Sequence, residues 1–495
     1  MLYKAFAALP SYVLPFYFAF TAKSSSEFIF ILISLAFALI ALPSIILKYY
    51  YFTFSINDKE IIIKSGVFAR NQRNIPFEKI QNVFSEQNFL ARILGITKLS
   101  IETAGDLTTE GLLEFVSLKN AKIILETIKH FQTEAQTQIK LVDDLDAPIS
   151  EEVEPKLTDS NEKLIYSLDI KNLFIYGMLN FRPALLILAF WFLSYISQFF
   201  QSELDIYSDN VKVLYNTYIT QHSYIELGLL VSFGLFIAFL LSWIFDILLT
   251  VNSYYNFKLT KQNNKLYVSR GLINKSQGTI PINKLQMLVI TTNFFREKLN
   301  YFGLNLETAG FGGKMMKNPE VAVPFAKFDV IYKLASSIYS FEFPTEFKKV
   351  SKKSIRRSII RYLILLIPIG FASFYFFNMF LWVILFIPIV SYLAILQWQF
   401  RGYVVSENKV FIKQGFWNQK ITIIPLEKIQ TISVYSSIFQ RLIGLSSINI
   451  DTAATTYTND ASIIDIESEE SLQIFMELSK SFHKLKAEKI LKLKN

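Results

Sequence analysis

The chain has 495 residues, 52% hydrophobic and 18% charged, with 47 phenylalanines; it is too apolar for an ordinary soluble protein and too polar for a pure membrane bundle. Most of its formal net charge of +9 borders apolar stretches, where lipid and topology account for it, so nucleic acid is not an expected partner. The lack of cysteine excludes disulfides and thiolate chemistry, and His130, His222 and His483 are too scattered for an imidazole metal site or a catalytic dyad.

In chain order, residues 1–48 read as a first transmembrane hairpin, with limbs Leu2 to Phe20 and Phe28 to Leu47, each near the ~20 apolar residues that cross a bilayer core. Pro10, Pro15 and Lys4 weaken the first limb; a cleaved signal peptide is its alternative reading, against which stand a poor n-region and no small-x-small site. Residues 49–131 form a first module. Its alternating runs at 51–56, 60–64 and 98–102, separated by Asn57-Asp58 and Ser65-Gly66, predict antiparallel strands, and Lys119 to Phe131 predicts a closing helix. Residues 132–166, with Asp143, Asp144, Asp146, Glu151, Glu152, Glu154, Pro148 and Pro155, are an acidic flexible linker.

Residues 167–250 hold an interfacial helix, Leu168 to Leu179, and a second hairpin, Pro183 to Phe200 and Ile225 to Leu249. Asp246 near its end is read as a helix contact or a snorkelling group rather than part of an ion path. Residues 251–341 are a second module closed by a helix over Lys327 to Phe341. Residues 342–398 combine a basic segment with a third hairpin, Ile359 to Phe377 and Phe380 to Leu396. Residues 399–495 are a third module with a helix over Glu469 to Lys486 and a basic tail.

One ruler measures all three modules: Gly66, Pro76 and Gln81; Gly271, Pro281 and Gln286; Gly415, Pro425 and Gln430. It runs on to Glu102-Thr103-Ala104, Glu307-Thr308-Ala309 and Asp451-Thr452-Ala453. A repeat of this length is a whole small domain, not a solenoid unit. The glycine predicts a positive φ in a hairpin turn. The proline, lacking an N–H, predicts a strand end, and the following Lys79 and Gln81, with Lys284 and Gln286 and Lys428 and Gln430, are expected on one solvent face of the next strand. The acid-Thr-Ala triplet reads as strand, since a catalytic residue is rarely needed three times. Gly310-Phe311-Gly312-Gly313 reads as a hairpin tip, because no helix opens after it.

The hairpin, the I-P-x-x-K-[IL]-Q segment, the Phe89-Leu90-Ala91-Arg92-Ile93-Leu94-Gly95 piece and the terminal helix together resemble the bacterial pleckstrin-homology-like membrane proteins of the YdbS/YdbT type. Three units in one chain look like the long YdbT form. The resemblance implies a pleckstrin-homology-like barrel for each module and hints at envelope-related roles. Arg441 and Gly444 keep the arginine–glycine pair in the third copy, whereas the second has Glu297 and Asn300, with Arg296 displaced by one residue. Lysine also replaces the family's usual basic residue ahead of Ile-Gln, and no basic segment precedes the first span.

The expected fold is therefore membrane α plus β: three transmembrane helix hairpins, each followed by a barrel or sheet module capped by a helix. Basic residues flank the module side, so a multi-pass plasma-membrane protein with cytoplasmic modules is expected. Lys348, Lys349, Lys352, Lys353, Arg356, Arg357 and Arg361 are candidates for anionic lipid; topogenic charge explains them equally well. No catalytic, cofactor or metal motif is present, and the expected role is a scaffold whose modules bind membrane lipids and a protein partner or one another. The alternative is a lipid-handling or small-solute transport protein.

Overall fold

The computed structural model describes residues 47, 50–57, 59–67, 69–103, 111–128, 163–180, 224–262, 264–309, 320–377, 382–454 and 461–494. The first module contains β1 (Thr53–Ile56), β2 (Glu60–Ser65), β3 (Asn71–Pro76), β4 (Ile80–Gln87), α1 (Phe89–Ile93), β5 (Ile96–Thr103) and β6 (Gly111–Ser117), closed by α2 over residues 118–128. The second opens with β7 (Lys163–Ser167), whose residues fall at the end of the expected linker. Helices α3 (Ile170–Leu179) and α4 (Tyr224–Tyr254) precede β8 (Lys258–Gln262), β9 (Lys265–Arg270), β10 (Lys275–Pro281) and β11 (Leu285–Asn293). Then come α5 (Phe294–Lys298), β12 (Tyr301–Thr308), β13 (Glu320–Lys327) and α6 (Phe328–Ile338). The third has β14 (Lys348–Lys349), α7 (Lys353–Phe377), α8 (Trp382–Gln399), β15 (Gly402–Val405), β16 (Lys409–Gln414), β17 (Asn418–Pro425) and β18 (Ile429–Tyr435). It ends in α9 (Ile438–Leu442), β19 (Leu445–Thr452), β20 (Ser462–Glu467) and α10 (Ser468–Lys494).

The modules are not separate barrels. The antiparallel sheets run in the orders β1-β2-β3, β6-β5-β4-β10-β9-β8-β7, β13-β12-β11-β17-β16-β15-β14 and β18-β19-β20. Each seven-stranded sheet thus joins the second half of one module to the first half of the next. Along β11, Leu288 and Ile290 enter the core of the second module while Met287 and Val289 enter that of the third, as the two-residue period of a strand requires. Phe411, Ile421 and Ile423, from β16 and β17, return the exchange by packing into the second core. Each such side chain contributes about 1.5–3 kcal/mol on full burial.

The expectation of three transmembrane hairpins is overturned. Among the described residues one helix is long and apolar enough to cross a membrane, α4 over Ser232–Tyr254. The stretch Phe386–Gln399 of α8 is a shorter apolar helix among the described residues. Helix α7 begins with Lys353, Arg356, Arg357 and Arg361. The expected limbs Leu2 to Phe20, Phe28 to Leu47 except its last residue, and Pro183 to Phe200 lie outside the described residues, as do linker residues 132–162 and the Gly310 to Gly313 tip. The sheet modules themselves agree with the pleckstrin-homology-like expectation.

Gly66, Gly271 and Gly415 share one conformation, with φ of 111°, 110° and 85°. A Cβ there would lie 1.9, 1.8 and 2.0 Å from the carbonyl oxygens of Ala69, Asn274 and Asn418, so the hairpin closes only with glycine. Pro76, Pro281 and Pro425 end β3, β10 and β17, as expected. The lysines differ from expectation: Lys79, Lys284 and Lys428 complete a single 3-10 turn rather than sharing a strand face with the glutamines. Gln81, Gln286 and Gln430 each occupy a bulge, because Ile80 pairs with Thr103 and Asn82 with Glu102, and the other copies repeat this register. The threefold acid-Thr pair therefore faces the threefold glutamine across the same irregularity.

Candidate functional site

The short helix and the glycine hairpin, distant in sequence, meet at each junction between modules. In the first junction the Phe89 N–H donates to Asn274 Oδ1 at 3.2 Å, and Arg92 Nη1 donates to the Leu272 carbonyl at 2.8 Å. In the second the Phe294 N–H donates to the Trp417 carbonyl at 3.1 Å, and the Phe295 ring meets Trp417 edge-on at 5.7 Å. Glu297, in the place of Arg92, accepts from Gln419 Nε2 and lies 3.9 Å from Lys413 Nζ. The clasp is kept with its polarity reversed. Gly95, Asn300 and Gly444 have φ of 65°, 58° and 70°, so asparagine preserves the left-handed helix end in the second copy.

Arg296 is not a displaced surface arginine. It is buried in the second core, where its Nη2 donates to the Pro324 carbonyl at 3.3 Å and its guanidinium lies 5.1 Å from the Tyr176 ring centroid and 5.5 Å from that of Phe325. Burial lowers its pKa from the ordinary arginine value, against the opposing influence of Tyr176 and Tyr254.

The equivalent position in the third module is Gln440, which donates to Asp465 Oδ1 at 2.9 Å and to Ser447 Oγ at 2.7 Å. Asp465, buried and at φ 66°, also accepts from Ser354 Oγ at 3.0 Å and pairs with Arg357 and, at 3.2 Å, with Arg401. This network ties α7 and Arg401, two residues past α8, to β20. Burial lowers the Arg401 pKa while Asp465 works to raise it. No spacing rule in the sequence marks Asp465, whose arginine partners are more than sixty residues away.

The basic cluster divides by contact. Lys348 Nζ lies 2.5 Å from Glu470 and Lys353 Nζ 3.4 Å from Glu467, while Lys349 donates to the Gln399 carbonyl. Arg357 pairs with Asp465, and Arg361 donates to Gln397 Oε1 at 3.2 Å. Lys352 and Arg356 are exposed and have no partner among the described residues. Burial, then Lys413, lowers the Lys349 pKa.

The hairpin tips lie beside the ends of the long helices. Gly271 N–H donates to the Tyr255 carbonyl and Leu272 N–H to the Asn252 carbonyl, both at 2.9 Å, at the foot of α4. Phe416 lies 5.5 Å from Phe400, just past α8. Around this level Ile273, Phe295, Leu299 and Trp417 are exposed, and Ile438 and Leu442 are exposed on the equivalent helix α9 of the third module. Helix α3 adds Ile170, Phe174 and Met178, an exposed stripe at four-residue spacing, while Leu173 and Tyr176 face the core. Trp243 Nε1 donates to the Met178 carbonyl at 3.0 Å, which holds α3 against α4. Asp246 is fully buried between Ser242 and Thr250, one turn to either side, which fits helix packing rather than snorkelling. Such an apolar rim with an aromatic component is the composition that settles at headgroup level.

An open groove also runs between Leu125 of α2 and Lys258, Thr260, Tyr267 and Gln277 of β8 to β10. Among the described residues no three imidazole or carboxylate side chains converge to hold a metal ion.

A family model described as a bacterial PH domain matches residues 6–132, 222–341 and 362–481, more than half of the chain. The chain is similar to the UPF0699 transmembrane protein YdbT of Bacillus subtilis (strain 168), 24% identical over 479 residues that cover 93% of this chain and 92% of that one. No solved structure matches significantly.

Proposed function

The chain belongs to the bacterial PH domain family, and from that premise we propose that it is a membrane protein that holds three fused modules at the cytoplasmic face of the plasma membrane as an assembly platform. Membrane attachment is supported by the name of the similar transmembrane protein, by α4, and by the apolar rim at the foot of that helix. Lys48, Arg182, Lys258 and the basic cluster favour the cytoplasmic side, because lysine and arginine are retained there. Lys352 and Arg356 supply charge for anionic headgroups, each worth about 1 kcal/mol near such a surface.

The observation that carries the platform reading is the pair of sheet edges at the two ends of the array. Strands equivalent to β3 and β18 are paired at every internal junction, whereas among the described residues β3 and β18 each have one side without a partner strand. An open edge accepts an extended segment by backbone hydrogen bonding. The reading involves no catalytic step. To test it, full-length protein carrying a photo-crosslinking side chain at Gln72 or at Ser433 is irradiated in native membranes. A protein adduct at either edge is expected; recovery of lipid adducts alone would overturn the reading and favour lipid handling.

A further inference from the structure

We infer that the occupant of these edges is a second copy of this chain, with β18 of one molecule pairing antiparallel with β3 of the next in the register of the internal junctions. The inference rests on the platform reading and names its partner. Its basis is that the two internal junctions use one register. Glu86 stands opposite Ser276 and Ser85 opposite Gln277 in the first. The positions equivalent to these under the repeat, Thr291 opposite Lys420 and Ile290 opposite Ile421, pair in the second. The same spacing carried once more sets Tyr435 opposite Asn71, Val434 opposite Gln72, Ser433 opposite Arg73 and Ile432 opposite Asn74.

Both edges are formed, and among the described residues no strand covers either. In β17 only Asn418 is exposed, whereas the first four residues of β3 are all exposed; β11 is buried along nearly its whole length, whereas β18 alternates. The clasp is present as well. Arg441 holds the place of Arg92, and the carbonyl it would reach, that of Val67, holds the place of the Leu272 carbonyl. Phe294 is half-buried beside Phe416, while Ile438 in the same position is 71% exposed.

Chemistry and geometry both favour self-pairing. Tyr435, Ser433, Gln72 and Arg73 are as polar as the Gln87, Glu86 and Ser85 that already pair with Lys275, Ser276 and Gln277. A strand on one surface patch and its acceptor on another make a heterologous contact, which closes into a ring or extends as a filament. Each internal junction keeps its hairpin tip at the level of the apolar rim, so a copied junction holds successive molecules in one bilayer. Confinement to that plane raises the effective concentration of edge for edge.

The chain contains no cysteine, so introduced thiols are unique. Full-length Arg73→Cys and Ser433→Cys proteins are co-expressed, and their membranes are oxidised; Gln72→Cys with Val434→Cys tests the neighbouring pair. The off-register control is Arg73→Cys with Thr431→Cys, and Ser85→Cys/Gln277→Cys within one chain reports that the fold is intact. The expected result is a linked dimer from at least one facing pair, with at most about a tenth as much from the control, since disulfide geometry is restrictive. Equal linkage in and out of register, or none while the internal pair closes, overturns the inference. In that case adducts to another protein from Gln72 or Ser433 leave the platform reading standing, and adducts to lipid alone remove both.

Discussion

Arg401, the second residue beyond α8, lies 3.2 Å from Asp465, a buried carboxylate that also receives Arg357, Ser354 and Gln440. One side chain thereby fastens the helical pair to β20 of the third module. Removing one partner of a buried ion pair leaves the others uncompensated.

Asp465→Ala is therefore expected to destabilise the third module by about 3–5 kcal/mol, read as a lower thermal midpoint in detergent. Asp465→Asn retains the residue class that tolerates φ near 66° and separates charge from backbone shape. An alanine variant as stable as wild type would show that the network contributes little.

Gly271→Ala and Gly415→Ala place a methyl group within 2.0 Å of a carbonyl oxygen, and each is expected to cost at least about 1–3 kcal/mol, the range for local backbone strain. The hairpins carry the contacts of α1 and α5, so limited proteolysis is expected to cut faster near the affected junction. Unchanged cleavage would contradict the clasp.

Glu297→Lys sets a cation beside Lys413 and removes the acceptor of Gln419. It is expected to weaken the second junction. Glu297→Lys with Lys413→Glu is expected to recover part of the loss, of order 0.2–1 kcal/mol for so exposed a pair. A double-mutant cycle with no coupling would exclude the contact.

The Glu470 carboxyl is held below its ordinary value of 4.5: burial opposes ionisation, but hydrogen bonds from Lys348 and Tyr403 outweigh it. A depressed folded-state pKa stabilises above the unfolded value and is lost as pH falls through the folded one. The stability advantage of wild type over Glu470→Gln is thus expected to be full at neutral pH and to vanish on acidification below 4.5. An advantage independent of pH would point to packing instead.

Lys352→Glu/Arg356→Glu is expected to weaken contact with anionic vesicles while leaving the thermal midpoint near wild type, because neither side chain has a partner among the described residues. Arg357→Glu is expected to lower the midpoint, since it strips a partner from Asp465. In a variant retaining Trp417 as sole tryptophan, brominated lipids are expected to quench its fluorescence; no quenching would place the rim away from the bilayer.

Local backbone demands were legible from residue types. Gly66, Gly271 and Gly415 announce a left-handed turn and Pro76, Pro281 and Pro425 a strand end, because each residue is suited to one conformation. The run Leu285-Gln286-Met287-Leu288-Val289-Ile290 is nearly unbroken in its apolarity, the pattern of a strand buried on both faces, while Ile429-Gln430-Thr431-Ile432-Ser433-Val434 alternates. The first junction does not share that contrast, since β4 reads Ile80-Gln81-Asn82-Val83-Phe84-Ser85 and still pairs with β10. Strand exchange between modules was not legible, because pairing of β4 with β10 is a choice among many remote edges. Apolar runs locate candidate limbs without deciding that they span: among the described residues only α4 meets both the length and the apolarity of a membrane span, and α7 opens with four basic side chains. Arg296 shows the limit of motif counting: one residue separates an exposed clasp from a buried cation, and the register decides which.

Because β11 gives alternate side chains to two cores, the repeat visible in the sequence and the piece that can stand alone are different things. A fragment cut at residues 251–341 would carry a raw greasy face where Met287 and Val289 had been covered, and its neighbour would carry a matching wound. The second and third copies therefore share one packing unit, in which a change on β11 is felt by two cores at once.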